Sequence, residues 1–285
     1  MLDVILDTTI DALKILPFLF LTYIVMEYIE HKMSEKTKTL IQKSGKVGPL
    51  YGGILGILPQ CGFSAAASNL YVARIITLGT LIAVYLSTSD EMLPILISEQ
   101  VSVGIIIKIL LLKAFIGILA GFIIDFVLRK KEKQTENIKH LCEHEHCHCN
   151  EKNILISALK HSLNIFIFIY ITSFLLNLLF SYIGEETLAS FILNKPIISE
   201  LLAGIVGLIP NCAASVVITE LYINGVISLG AMMSGLLVGA GVGLLILFRI
   251  NDNLKENLKI TLLLYLIGVV AGILIELSGI SVFFT

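Results

Sequence analysis

Two short motifs place amide and thiol side chains inside stretches that are otherwise apolar. The motifs are ILPQCGFSAA, residues 57–66, and LIPNCAASVV, residues 208–217. A proline interrupts a helix, and a thiolate is a soft ligand that favours Zn, Cu(I) or a trivalent metalloid. We interpret the motifs as substrate-binding sites; the alternative is that each cysteine packs as a small hydrophobic side chain. The candidate residues are Gln60, Cys61, Ser64, Asn211, Cys212 and Ser215.

A cluster of metal-ligating residues lies between the two motifs, in the sequence HLCEHEHCHC at residues 140–149. Alternating histidine and cysteine at this density is typical of borderline or soft metal binding. Because the spacing fits no zinc finger, we interpret it as a flexible chelating strap, with a solvated polar linker as the alternative. The candidate metal ligands are His140, Cys142, His144, His146, Cys147, His148 and Cys149.

Acidic residues also lie within or beside apolar segments. Asp90 and Glu91 interrupt the segment AVYLSTSDEMLPIL, and Glu220 follows the second motif. An ionisable residue within a membrane span is costly and is a functional hypothesis by default. We interpret Asp90 and Glu91 as a cation or coupling-ion site with Lys113 as a candidate partner, unless both acids occupy a polar external loop. Glu220 faces either a cavity or the lipid headgroups.

The composition indicates a membrane protein. Of 285 residues, 56% are hydrophobic and 15% are charged, the mean hydropathy is +0.91, and apolar runs of about 20 residues recur. This pattern predicts an all-α polytopic protein in a lipid bilayer, without a cleavable signal peptide and without a nucleic-acid partner. The sequence is compatible with a homo-oligomer. We expect Lys108, Asp125 and Glu276, which lie near the ends of apolar segments, to reach the membrane interface.

The chain contains an internal duplication. Residues 53–125 align without gaps to residues 204–276, at an offset of 151. The matched pairs include Pro59 with Pro210, Cys61 with Cys212, Ser64 with Ser215, and GILAGFIID at 117–125 with GVVAGILIE at 268–276. We therefore divide the chain into a first membrane repeat at 1–128, a linker at 129–153 and a second membrane repeat at 154–285.

Each repeat is predicted to contain three full spans and one interrupted segment. In the first repeat, the pieces at 48–58 and 62–73 are each about 16–18 Å long as helices, which is about half a bilayer. They are therefore predicted to form a re-entrant hairpin, so that the two repeats together have about ten helical segments. The predicted full spans are 10–30, 75–97 and 103–128, and then 154–183, 226–248 and 258–280.

Loop charges predict the orientation of the repeats. Lysine and arginine collect on the cytoplasmic side of membranes, and they are dense at 32–46 and 129–152 but sparse at 98–102 and 184–198. Both dense loops lie inside if residues 48–73 form a re-entrant hairpin followed by two spans, because the chain then crosses the membrane an even number of times between them. The same count makes the two repeats inverted, with both termini outside and residues 129–153 in the cytoplasm. Cys61 and Cys212 then lie near the midplane, where transporters built this way bind their substrates.

The motifs favour a transporter over an enzyme. The chain has no GxxxxGK[ST] phosphate-binding loop, so an exporter would be secondary-active, driven by a proton or another ion. No cofactor is required, and a metal ion enters only as substrate or linker ligand. The alternatives are an oxyanion or organic-anion transporter that uses the half-helix N-termini, a membrane thiol enzyme, and a metal sensor.

The paired Pro-Gln-Cys and Pro-Asn-Cys motifs, the GILAGFIID and GVVAGILIE segments and the His/Cys-rich linker resemble one family. This family is the ten-span heavy-metal exporters of bacterial cytoplasmic membranes, which are similar to arsenical permeases and are also labelled arsenic efflux proteins or manganese transporters. The resemblance implies heavy-metal efflux and assigns substrate contacts to the two Pro-x-Cys tips. Arsenite or an organoarsenical suits Cys61 and Cys212, whereas manganese suits Asp90 and Glu91.

Overall fold

The computed structural model describes residues 47–58, 61–89, 92–128 and 197–279, with isolated positions between 8 and 24 and between 159 and 178. Every regular element in these ranges is a helix. The linker at 129–153 falls outside the described residues. The continuous helices are α1 Gly48–Gly56, α2 Cys61–Val72, α3 Leu78–Ser87, α4 Met92–Ser98, α5 Val103–Leu128, α6 Ile198–Gly207, α7 Cys212–Ile223, α8 Leu229–Val238, α9 Val242–Ile250 and α10 Leu254–Leu277.

Four stretches of the described chain are long and apolar enough to cross a membrane: Leu78–Ser98, Val103–Leu128, Leu229–Ile250 and Leu254–Leu277. The first and third are mostly buried inside the protein, at 75% and 83%, whereas the second and fourth are buried at only 28% and 33%. Helices α5 and α10 therefore present apolar side chains on the outside, where lipid would contact them. This arrangement confirms the prediction of a multi-span helical membrane protein.

The two central stretches are not the continuous spans that the hydropathy predicts at 75–97 and 226–248. The first is divided between Ser87 and Met92, and the second is divided between Val238 and Val242. Proline at 94 cannot donate a hydrogen bond back into the preceding turn, and Gly241 has φ 54°, a value that favours glycine. We call residues 88–89, which are the described residues of this gap, the first break and residues 239–241 the second break.

The interruptions at the two proline motifs lie where the sequence predicts them. Helix α1 ends at Gly56 and α2 begins at Cys61, while α6 ends at Gly207 and α7 begins at Cys212. We call residues 57–58, which are the described residues of the first gap, the first interruption and residues 208–211 the second interruption. The pieces on either side are short, as half-helices would be.

The helices of the two repeats pack in matching pairs. Helix α3 packs against α1 and α5, and α8 packs in the same way against α6 and α10. Between the repeats, α2 packs against α9 and α7 packs against α4. The α2–α9 contact is close, because a Cβ added to Gly243 would lie 2.7 Å from the Ser64 carbonyl oxygen. Each repeat thus contributes one helix, α2 or α7, that packs against a helix of the other repeat. The inverted orientation of the two repeats stays a prediction.

Two acidic residues near helix ends have a structural role that differs from the expected interfacial position. Asp125 accepts hydrogen bonds from the Thr77 hydroxyl at 2.7 Å and from the Gly79 N–H at 2.9 Å. In the second repeat, Glu276 accepts from the Gly230 N–H at 3.1 Å. Both carboxylates therefore cap the first turn of a central helix, where unpaired N–H groups and the helix dipole favour a negative charge.

Candidate functional site

A small cavity lies where the second interruption meets both breaks. Its volume is about 20 Å³, which is enough space for one water-sized group. Its lining combines apolar side chains with hydroxyl and amide groups, four glycines and the Lys113 side chain. The described residues around it are Thr88, Ser89, Lys113, Gly207, Ile209, Asn211, Ala214, Ser215, Ile218, Gly235, Leu236, Gly239 and Gly241.

The second interruption brings the start of α7 to this cavity. Asn211 has extended backbone angles, φ −143° and ψ 146°, and its side-chain oxygen accepts from the Ala213 N–H at 3.5 Å. Asparagine is a preferred residue at this position because its side chain satisfies an N–H group that the helix leaves open. Asn211, Ala214 and Ser215 line the cavity, so the first turn of α7 forms one of its walls.

The first break connects the cavity to the first interruption. Thr88 leaves the helical conformation with φ −56° and ψ 128°, and its hydroxyl donates to the Val84 carbonyl at 2.7 Å. The next residue, Ser89, donates through its hydroxyl to the Ile57 carbonyl at 2.6 Å. Because the last carbonyls of a helix have no partner within that helix, such a contact satisfies one of them. The first interruption and the first break therefore form one connected structure beside the cavity.

Lys113 joins the broken helices of the two repeats. Its side chain is 1% exposed, and its ammonium group donates to the Thr88 carbonyl at 2.5 Å and to the Leu236 carbonyl at 2.8 Å. Thr88 lies in the first break, and Leu236 lies in the last turn of α8, next to the second break. A buried ammonium group is stable only when such hydrogen bonds replace its lost hydration. Its counterpart at the offset of 151 is Leu264, so this contact belongs to one repeat only.

The predicted binding residues fall into different parts of the structure. Asn211 and Ser215 line the cavity. Ser64 is fully buried where α2 contacts α9, and its carbonyl accepts from the Ser68 hydroxyl at 2.8 Å. Glu220 is partly buried towards the far end of α7 and is not among the described lining residues. The structure therefore brings together two of these four side chains.

The remaining candidates lie outside the described residues. These are Gln60, Asp90, Glu91 and the seven ligands of the His/Cys-rich linker. Cys61 and Cys212 begin α2 and α7, but their side chains are also outside the described part of the chain. Among the side chains that the structure does describe, no three of the His, Cys, Asp or Glu type cluster closely enough to hold a metal.

The comparisons with known proteins give one match. A family model with the description "Putative, 10TM heavy-metal exporter" matches residues 1–186. No curated protein and no solved structure matches the chain. The matched range contains the first motif, the first break, Lys113 and the His/Cys-rich linker, and it ends before the second motif.

Proposed function

Because the chain belongs to the family of ten-transmembrane heavy-metal exporters, we propose that it is a secondary-active exporter of a heavy-metal ion or metalloid. The substrate passes through the cavity at the second interruption. The observation that carries this proposal is the convergence of three helix discontinuities, from both repeats, on one small cavity. Non-helical backbone at membrane depth is tolerated where it lines such a cavity, and transporters commonly bind their substrates at broken helices.

The architecture of this transporter is a pair of inverted repeats, each with a re-entrant hairpin. The short helices α1, α2, α6 and α7 support it, and so does the reciprocal packing of α2 with α9 and α7 with α4. Both termini lie on the outer side of the cytoplasmic membrane. Alternating access results from movement of one repeat against the other around the cavity. The His/Cys-rich linker lies in the cytoplasm, where it captures metal before entry.

An oxyanion is the second candidate substrate. The buried Lys113 ammonium group contributes a fixed positive charge to the cavity wall, and the first turn of α7 contributes the positive end of a helix dipole. Both features favour a negatively charged or strongly polar ligand.

Filling the cavity tests its role in transport. Replacing Ser215 with leucine adds apolar volume to a lining position of a cavity of about 20 Å³, so we expect transport to fall about tenfold or more. The control is Val216→Leu, at a neighbouring position of α7 that is not among the described lining residues. Transport is measured as uptake of arsenite and of Zn²⁺ by inside-out vesicles with equal amounts of each variant.

Size-exclusion chromatography and thermal unfolding show whether both variants fold. Normal uptake by a folded Ser215→Leu variant would show that the substrate does not pass through the cavity. Equal losses in both variants would also count against it, because a general disturbance of α7 would then explain the result.

A further inference from the structure

The carboxyl group of Glu200 has no hydrogen-bond partner. Both of its oxygens are buried and accept no hydrogen bond. Within the part of the chain that the structure describes, they are the buried side-chain nitrogen or oxygen atoms that lack a hydrogen-bond partner. The residue is 0% exposed and lies in the first turn of α6. Buried polar groups in native proteins are nearly always satisfied, so an exception of this kind needs an explanation.

Charge neutralisation by a small ligand gives that explanation. An ionised carboxylate that is fully buried loses its hydration, and no hydrogen bond compensates for that loss at Glu200. A proton removes the charge by bonding to one oxygen and needs no further ligand. A hard metal cation would need several oxygen ligands around it.

The described helices that pack against α6 donate no hydrogen bond to this carboxyl group. Within the described ranges these helices are α7, α8 and α10, and α8 has no titratable residue. The titratable residues on the other two helices are Cys212, Glu220 and Tyr222 on α7, and Lys255, Glu256, Lys259, Tyr265 and Glu276 on α10. Tyr265, Glu256 and Glu276 have other partners: Tyr265 donates to the Leu201 carbonyl at 3.1 Å, Glu256 accepts from the Arg74 guanidinium at 3.1 Å, and Glu276 caps α8.

The backbone connects Glu200 to the cavity. The Ser234 hydroxyl donates to the Glu200 carbonyl at 2.7 Å, and the two residues after Ser234 line the cavity. At its other end, α6 reaches the cavity with Gly207, which packs directly against the backbone of Gly235. The α6–α8 contact therefore extends from Glu200 to the cavity wall. At the offset of 151, the counterpart of Glu200 in the first repeat is Pro49 on α1. Helix α1 packs against α3 as α6 packs against α8, so this helix contact does not need a carboxyl group.

We propose that Glu200 is the proton-binding residue that couples transport to a proton gradient. It holds a proton while α6 is packed against α8, and it releases that proton to water when the two helices separate. In intramembrane sites, ionisable residues with this degree of burial commonly belong to ion pathways or proton relays. The inference rests on the proposed transport function for its role in the cycle, but the bound proton can be detected without any substrate.

Infrared spectroscopy of the purified full-length protein in lipid tests for the bound proton. We expect the carbonyl stretching band of a protonated carboxylic acid at neutral pH, and we expect Glu200→Gln to lose it. Glutamine keeps the shape of the neutral acid, so the variant should fold normally. Glu99→Gln, at an exposed glutamate, is the control and should keep the band. An unchanged band in the Glu200→Gln variant would overturn the proposal.

Transport by proteoliposomes tests the coupling role, with arsenite and Zn²⁺ as probes. One pH unit across one coupled proton corresponds to about a tenfold substrate gradient. We expect a pH gradient to stimulate wild-type and Glu99→Gln transport several-fold, and Glu200→Gln to exchange substrate without responding to pH. A normal pH response in Glu200→Gln, or a response of the wild type to sodium instead, would overturn the proposal. If the wild type moves neither probe, the proposed function fails, and the infrared band still decides whether Glu200 holds a proton.

Discussion

Replacing Lys113 with methionine is expected to reduce transport by about tenfold or more while the protein remains folded. Methionine retains much of the aliphatic length of lysine but cannot donate to the carbonyls of Thr88 and Leu236. A hydrogen bond from a charged donor contributes about 1.5–3 kcal/mol, and a change of about 1.4 kcal/mol already corresponds to a factor of ten. Loss of both bonds should therefore change the arrangement of the two breaks at the cavity.

Lys108→Met is the matched control, because Lys108 lies on the same helix and is exposed. Uptake by inside-out vesicles and thermal unfolding of the purified protein are measured for both variants. We expect Lys108→Met to transport normally. Wild-type uptake in a folded Lys113→Met variant would show that the lysine bridge has no part in transport.

The second large effect is expected at the two cysteines that begin α2 and α7. Changing Cys61 or Cys212 to serine keeps the size but replaces a soft sulfur ligand with a weakly coordinating hydroxyl group. Affinity for a soft ion should fall strongly in either variant. The double variant should be little worse than the single variants, because residues that form one site do not contribute additively. The measurement is the concentration dependence of arsenite and Zn²⁺ uptake.

Other outcomes of the cysteine series would point to different sites. If the cysteines only fill space, alanine should be tolerated about as well as serine, and uptake should survive both changes. If the substrate is a hard ion such as Mn²⁺, the cysteine variants should transport nearly normally. In that case Asp90→Asn or Glu91→Gln should abolish uptake, which would move the site to the acidic pair.

The membrane fold and the two interruptions could be predicted from the sequence because their signals are local. Hydropathy identifies helices α5 and α10, and the prolines at 59 and 210 separate α1 from α2 and α6 from α7. The two breaks were not predicted, because their flanks are apolar enough to suggest a single span. In retrospect, Pro94 and the glycines at 239 and 241 are the signals that could have indicated them.

The site was less predictable because its contacts join distant parts of the chain through backbone atoms. The pairing of Lys113 with Asp90 or Glu91 stays a prediction, because both acids lie outside the described residues, whereas its described acceptors are carbonyl groups 25 and 123 positions away. Backbone carbonyls have no sequence signature, so only the fold reveals these acceptors. The capping role of Asp125 was missed for the same reason, since one of its donors is the Gly79 N–H. Glu200 gave no signal either, because a glutamate in the first turn of a helix is usually a favourable surface residue.

Substrate uptake by inside-out vesicles that contain the purified wild-type protein tests the central claim most directly. Arsenite, arsenate, Zn²⁺ and Mn²⁺ are supplied separately to vesicles with an imposed acid-inside pH gradient, with and without a protonophore, and protein-free vesicles are the control. A secondary-active exporter should accumulate at least one of the four above the control, and the protonophore should abolish the accumulation. Arsenate alone would favour the oxyanion candidate. If none of the four accumulates, or if accumulation persists with the protonophore, the account of a proton-driven heavy-metal or metalloid exporter is contradicted.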